Sequence, residues 1–152
     1  MAGGPGPGRE CKTYYNTGSF ASPTWTLIPQ IVDLDYDMPA TWAAVPARVS
    51  LWNFESKALM GLTVNFGYRR IQGITDAIFT ALDGYAVATT KQELAIADGA
   101  IATTGTRYLR ATYQFEKGRS EPLADGCIDN FSAHLTSEYD TSTLREPAVT
   151  IV

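Results

Sequence analysis

A mainly β fold, a sandwich or barrel flanked by one α-helix, follows from three features of the sequence. Short runs of alternating apolar and polar residues recur along most of the chain, separated by Gly, Pro, Asn and Asp turn signals. Only one stretch carries the apolar spacing of an amphipathic helix. The order is therefore several strands, one helix, several strands, which fits an antiparallel sheet and not a repeating βαβ unit.

Residues 1–9 are dominated by Gly and Pro, which hold neither helix nor ladder, so a flexible arm is expected before a β domain over 10–139. A first hairpin is expected from the alternation around Lys12, Tyr14 and Asn16, the turn signal Asn16-Thr17-Gly18, and Trp25-Thr26-Leu27-Ile28. Over 31–38 the alternation sharpens. Asp33, Asp35 and Asp37 should share one strand face and Val32, Leu34, Tyr36 and Met38 the other. The stretch 39–58 holds Pro39, Trp42, Pro46, Arg48, Trp52 and Phe54 with no sustained period, which predicts a long excursion or a broken hairpin; such loops usually have a job.

Leu62, Val64 and Phe66 alternate with Thr63, Asn65 and Gly67, giving another strand. After Gly73, the residues Ile74, Ile78, Ala81, Leu82 and Tyr85 form one stripe, so a helix is expected over about 75–85 with Thr75 or Asp76 as its cap. Strands over 93–97 and 108–116 follow, with Lys117-Gly118-Arg119 read as the next turn. Beyond it Phe131, Ala133 and Leu135 alternate with Asn130, Ser132 and His134, and 140–152 reads as a C-terminal segment.

At 152 residues with 45% hydrophobic and 18% charged content, the chain has the size of one domain and enough apolar material for a core. Its net charge of -4 offers no basic face for nucleic-acid readout. No apolar run approaches the ~20 residues that span a bilayer, and the opening residues lack the plan of a secretory signal, so a protein made in a cytoplasm is the plain reading. Cys11 and Cys127 are far apart, with no partner at metal-ligand spacing, and are expected to be reduced and structural.

No catalytic set is visible. The single histidine, His134, falls on the polar face of a strand, and there is no nucleophile elbow or phosphate loop. Asp33, Asp35 and Asp37 match the first three ligand positions of a calcium loop. The match then fails, with Met38 where glycine is needed and Ala44 where a glutamate should stand. Trp25, Trp42 and Trp52 could form a sugar platform, although core and interface roles are commoner for tryptophan. From the residues alone, the reading is a β-rich domain that is not an enzyme and needs no cofactor or metal.

As a string, the chain resembles the major tail tube proteins of long-tailed bacteriophages and prophages. The likeness rests on the order of Cys11-Lys-Thr-Tyr-Tyr-Asn-Thr-Gly18, Ser22-Pro-Thr-Trp25, the strand over 31–37, Ala47-Arg48, Gly61-Leu-Thr-Val-Asn-Phe66, Asp76-Ala-Ile-Phe-Thr-Ala-Leu82, Leu94-Ala-Ile-Ala-Asp-Gly99, Thr103-Thr-Gly105, Leu109-Arg-Ala111 and Glu121-Pro-Leu123. The segment 39–46 is richer in Pro and Trp than that pattern, and the stretch after Tyr139 lacks its proline cluster.

The resemblance implies a tail-tube-like fold, six copies closing into a ring, and rings stacking into a virion tail tube. Its partners would be other copies of the chain and the tape-measure and tail-end proteins. DNA would pass through the lumen without sequence-specific binding, and no membrane would be involved. Trp42, Arg48, Trp52 and Phe54 become candidates for subunit contact, and Asp33, Asp35 and Asp37 for an electronegative lumen wall. An inner tube of a contractile injection or secretion system is the related alternative; a β-sandwich carbohydrate- or ligand-binding module is the alternative from another class.

Overall fold

The computed structural model describes residues 11–46, 51–71, 73 and 76–152, so the arm expected over 1–9 lies outside the described residues. The fold is mainly β with one helix. Its principal sheet has the order β2-β1-β7-β8-β9-β6-β3, all antiparallel, with β12 on β8. The strands are β1 (Lys12–Asn16), β2 (Trp25–Leu27), β3 (Ile31–Asp37), β6 (Thr63–Ile71), β7 (Gln92–Ala97), β8 (Arg107–Leu123), β9 (Gly126–Leu135) and β12 (Ala148–Ile151). Two small hairpins stand apart: β4 (Ala40–Val45) with β5 (Phe54–Met60), and β10 (Tyr139–Asp140) with β11 (Thr143–Leu144). Tyr36 and Met38 from one end of the principal sheet line the same cavity as Cys11 and Ile96 near the other end. The sheet therefore curls towards a barrel.

Alternation decides which face is buried. Val64, Phe66 and Tyr68 of β6 stand beside Phe131 and Ala133 of β9, with Tyr113 and Phe115 of β8 next in line, all buried. The helix α1 (Ala77–Val87) crosses this face. Phe79 stacks on Tyr68 with ring centroids 6.1 Å apart and meets Phe131 edge-on at 6.5 Å, while Tyr85 lies 5.8 Å from Phe115. Leu82 is fully buried between them in sequence. Asp76 is the N-cap, its Oδ1 accepting from the Ile78 and Phe79 N–H groups that the first turn leaves unpaired. Phe79 lies outside the expected stripe yet makes two of the helix's three aromatic contacts with the sheet.

Two expectations need correction. The segment 117–119 is no turn: β8 runs on to Leu123, and Lys117 pairs with Phe131 while Ser120 pairs with Asp129, so two residues stand opposite Asn130 alone. This is a β-bulge, and the chain reverses at Ala124 and Asp125. A second bulge interrupts β3, because Val32 pairs with Gly67 and Asp35 with Asn65, leaving residues 33 and 34 opposite Phe66. Val32 is thereby turned away from Leu34 onto the opposite face, where it packs over Gly67. Of the two readings of 39–58, the broken hairpin is the one observed: β4 and β5 pair antiparallel, with a register shift between Thr41 and Trp42. Both cysteines are free as expected, but Cys11 is exposed and not a buried core residue.

Two glycines give opposite forecasts. An added Cβ at Gly84 meets nothing within 4 Å in the last turn of α1. Gly84→Ala should raise stability by about 0.5–1 kcal/mol in urea denaturation, because alanine removes freedom from the unfolded chain. At Gly126 the same atom would overlap the Arg70 backbone carbonyl, which no side-chain rotation can relieve. Gly126→Ala should cost roughly 2–3 kcal/mol by the same measurement.

Candidate functional site

On β3, β6, β9 and the adjoining part of β8, the sheet face away from the helix reaches solvent. On it the antiparallel register lines up whole rows of polar side chains. Asp35 of β3, Asn65 of β6, Ser132 of β9 and Glu116 of β8 form one row, and Asp37, Thr63, His134 and Gln114 the next. The first row is tied together: Asn65 Nδ2 donates to Asp35 Oδ1 at 3.0 Å, and Ser132 Oγ donates to Asn65 Oδ1 at 2.8 Å. His134 Nε2 lies 3.5 Å from Glu116 Oε2 between the rows.

Asp35 and Asp37 thus share this face, both exposed. Asp33 does not follow simple alternation with them: it sits in the bulge with a φ of 51°, in the left-handed region where short polar side chains are tolerated. Among the described residues no group of His, Cys, Asp or Glu is gathered to hold a metal ion, so the partial calcium-loop pattern does not become a site.

The second surface is the β4–β5 hairpin. It continues the β3–β6 pair past a break: Asp37 pairs with Thr63, the Gly61 N–H donates to the Pro39 carbonyl at 2.8 Å, and pairing resumes at Ala40 with Met60. Proline has no N–H to give a ladder, which explains why the pairing breaks there. Beyond the break both faces are open to solvent. Trp52 is 80% exposed, Trp42 55% and Phe54 50%, alongside Leu51 and Leu59. The Lys57 ammonium lies 5.6 Å from the centre of the Trp42 ring, its cross-strand partner. Arg48 lies outside the described residues. At the hairpin base an apolar groove of about 700 Å³ opens between Met38, Leu59, Met60, Leu135, Leu144 and Val149.

Sequence reasoning missed a buried charge cluster. Asp129 is fully buried on the helix-covered face. Its carboxylate accepts from Ser120 Oγ at 2.5 Å and Arg70 Nε at 3.3 Å, and Lys117 Nζ lies 3.6 Å away while also bonding Asp83 of α1 at 3.0 Å. The signal was present, since Asp129 has the same parity as Phe131 and Ala133. Burial alone would push this carboxyl up, but the Ser120 and Cys127 hydrogen bonds and the Lys117 and Arg70 charges hold it below the ordinary range. Asp76 behaves likewise: burial opposes ionisation, and the Tyr68 hydroxyl at 2.6 Å with the two helix N–H groups outweighs it.

No protein-family model matches the chain. No curated protein matches it either. Among solved structures, a chain in the cryo-EM structure of the anti-feeding prophage baseplate, 6-fold symmetrised, aligns over 97% of this chain and 97% of its own length. The TM-score is 0.50 and the identity 8%, so the likeness is one of fold. It extends from end to end of both chains. Among the described residues no helix is long and apolar enough to cross a membrane.

The Asp129 cluster yields a pH forecast. A carboxyl held low in the folded state contributes stability that is present above its unfolded value, about 3.9, and lost as pH falls through the folded one. Asp129→Asn should cost about 2 kcal/mol at neutral pH, less than for a fully buried pair because Lys117 and Arg70 keep a third or more of their side-chain surface in water. The gap between variant and parent should close below pH ~4. Denaturant midpoints measured across pH check both statements.

Proposed function

We propose that the chain is a structural subunit of a phage-tail-like particle, a tube protein whose copies close into six-membered rings that stack around a channel. The observation that carries this reading is the end-to-end likeness to a chain of a sixfold-symmetrised prophage baseplate. The division of the surface supports it. α1 packs on one sheet face, the opposite face carries polar rows across β3, β6, β9 and β8, and the hairpin carries large apolar groups into solvent. In a related form the same subunit would serve the inner tube of a contractile injection or secretion system.

In this reading the polar rows line the channel, with Asp35 and Asp37 on the wall and Asp33 at the edge strand. Their charge acts on DNA within about a Debye length, roughly 8 Å at physiological salt, so it must be on the inner surface to matter. The hairpin, with Trp42, Arg48, Trp52 and Phe54, meets a neighbouring copy. Its tip and the apolar groove at its base are complementary features at different places on one molecule, which is the arrangement that builds head-to-tail assemblies. Other partners would be the tape-measure and tail-end proteins, in the virion.

Sedimentation and negative-stain microscopy of the purified chain test the proposal. Rings or tubes are expected; a species that stays near 16.5 kDa at high concentration would favour a monomeric ligand-binding module instead. Trp42→Ala and Trp52→Ala should each weaken association by about 2 kcal/mol, roughly thirtyfold, with the circular dichroism of the monomer unchanged. If neither changes assembly, the hairpin is not the contact. Replacing Asp35 and Asp37 by lysine should leave assembly intact and slow DNA release from particles, and an unchanged rate would remove these residues from the channel wall.

A further inference from the structure

Between β9 and β12 the chain makes a detour. Both strands pair with β8, yet residues 137–147 do not: the Thr136 N–H donates to the Thr112 carbonyl at 3.1 Å, and pairing resumes with Ala148 opposite Arg110. The detour consists of the β10–β11 hairpin, closed by the Arg145 N–H donating to the Glu138 carbonyl at 2.8 Å, and its flanks. Among its described residues none is buried, and only Glu138 and Arg145 are half-buried. Leu144, Arg145, Glu146 and Pro147 nevertheless line the apolar groove together with Leu62 and Leu135. A segment with so few buried groups opens at a lower free energy than the strands it leaves.

One series of contacts ties the detour down from the sheet outwards. The buried Glu93 holds Arg110, whose Nε donates to Glu93 Oε2 at 2.6 Å. Arg110 Nη2 donates to the Phe20 carbonyl at 2.5 Å, and its guanidinium lies 4.1 Å from the centre of the Phe20 ring. The Arg145 guanidinium lies 4.2 Å from the centre of the same ring. Phe20 is thus seated by the sheet and in turn seats the detour, through cation–π contacts that a non-aromatic side chain cannot make. Lys91 adds a second tie, its Nζ donating to the Ser137 carbonyl at 2.6 Å. Two features work against closure. Arg145 Nε is buried without an acceptor, so opening returns that donor to water. Thr141, at the first position of the turn between β10 and β11, has a φ of 61°, a place for glycine that a β-branched residue fills only with strain.

We infer that residues 137–147 form a strap, hinged at Thr136 and Ala148, that opens independently of the sheet and is latched by Phe20. On opening, Arg145 leaves the Phe20 ring and Leu144 leaves the groove wall. The latch therefore sets how widely the apolar groove stands open. Phe20 belongs to the β1–β2 loop, remote in sequence from the strap, so the coupling between them can be read separately from any local effect of changing the ring. The inference concerns a single chain and does not depend on tube assembly.

Hydrogen exchange of the full chain, diluted to its monomeric form and followed by mass spectrometry, tests it. Peptides from 137–147 are expected to exchange well before those of β6 and β9. Phe20→Leu should speed exchange of the strap about two- to fivefold and leave β6 and β9 unchanged, while Phe20→Tyr, which keeps an aromatic face, behaves like the parent. Thr141→Gly should slow it by a similar factor, about two- to fivefold, by relieving the turn. If Phe20→Leu loses its strand-like circular dichroism, Lys91→Met, which removes the second tie, carries the comparison and should speed the strap alone. Fluorescence of anilinonaphthalene sulfonate, a probe of apolar surface, should rise with Phe20→Leu and fall with Thr141→Gly. Strap peptides that exchange only as fast as β6 and β9, or an effect of Phe20→Leu confined to residues 17–24, would overturn the latched strap. Faster strap exchange with no change in dye fluorescence would remove the groove from the device.

Discussion

The face of the eight-stranded sheet that holds Phe66, Phe131 and Phe115 is one that a single eleven-residue helix must help to close, and the Phe79 ring is central to that closure. At 1.5 Å per residue such a helix is only about 16 Å long, too short to roof a wide sheet by its own length. Its reach comes from aromatic side chains. Phe79 stacks on Tyr68 and meets Phe131, which stacks on Phe66, and Phe66 meets Phe115, which Tyr85 touches from the next helical turns. The ring contacts thus pass from helix to sheet and back. Large rigid rings bury much surface for little lost side-chain freedom. The curl of the sheet covers what the helix does not; the opposite face carries polar rows across β3, β6 and β9, and over β1, β7 and β8 it holds a second buried cluster of Tyr14, Ala95, Ala97 and Tyr108.

The alternation of strands was legible because one face of each is buried. The sequence places Val64 with Phe66, and Phe131 with Ala133, on one face of their strands, and the register brings the four together in the core. Bulges were not legible. One extra residue at Asp33 or near Gly118 leaves composition and local period almost untouched, yet it reverses the facing of Val32 and lets β8 run through a segment that reads as a turn. Asp129 was missed for a different reason. Its parity marks it as inward, but carboxylates are rarely buried unless paired, and its partners Arg70 and Lys117 come from other strands, 59 and 12 residues away in sequence.

The hairpin shows why absence of periodicity was informative in its own way. A strand acquires a period of two only when one face is buried, and along β5 every residue is exposed. The segment 39–58 therefore shows no period although β4 and β5 are paired. Its backbone groups are met within the hairpin while its side chains have no core to enter, and a two-stranded hairpin alone is marginal in water. Continuity with β3 and β6 supplies a stem through Pro39 and Gly61. Aromatics held on such a stem gain most when a second surface covers them, which is the physical content of reading this hairpin as a contact.

The polar face has the complementary property. In the row Asp35-Asn65-Ser132, the Asn65 amide donor and the Ser132 hydroxyl are spent on neighbours within the sheet, and the carboxylate of Asp35 is left with acceptor capacity facing outward. A phosphate needs donors or cations. Across these two rows the one side chain of a basic type is His134, and it stands beside Glu116. Such a face is hydrated, and offers little grip to a polyanion passing close by. Its lack of stickiness comes from the way cross-strand hydrogen bonds consume donors, and not from charge alone.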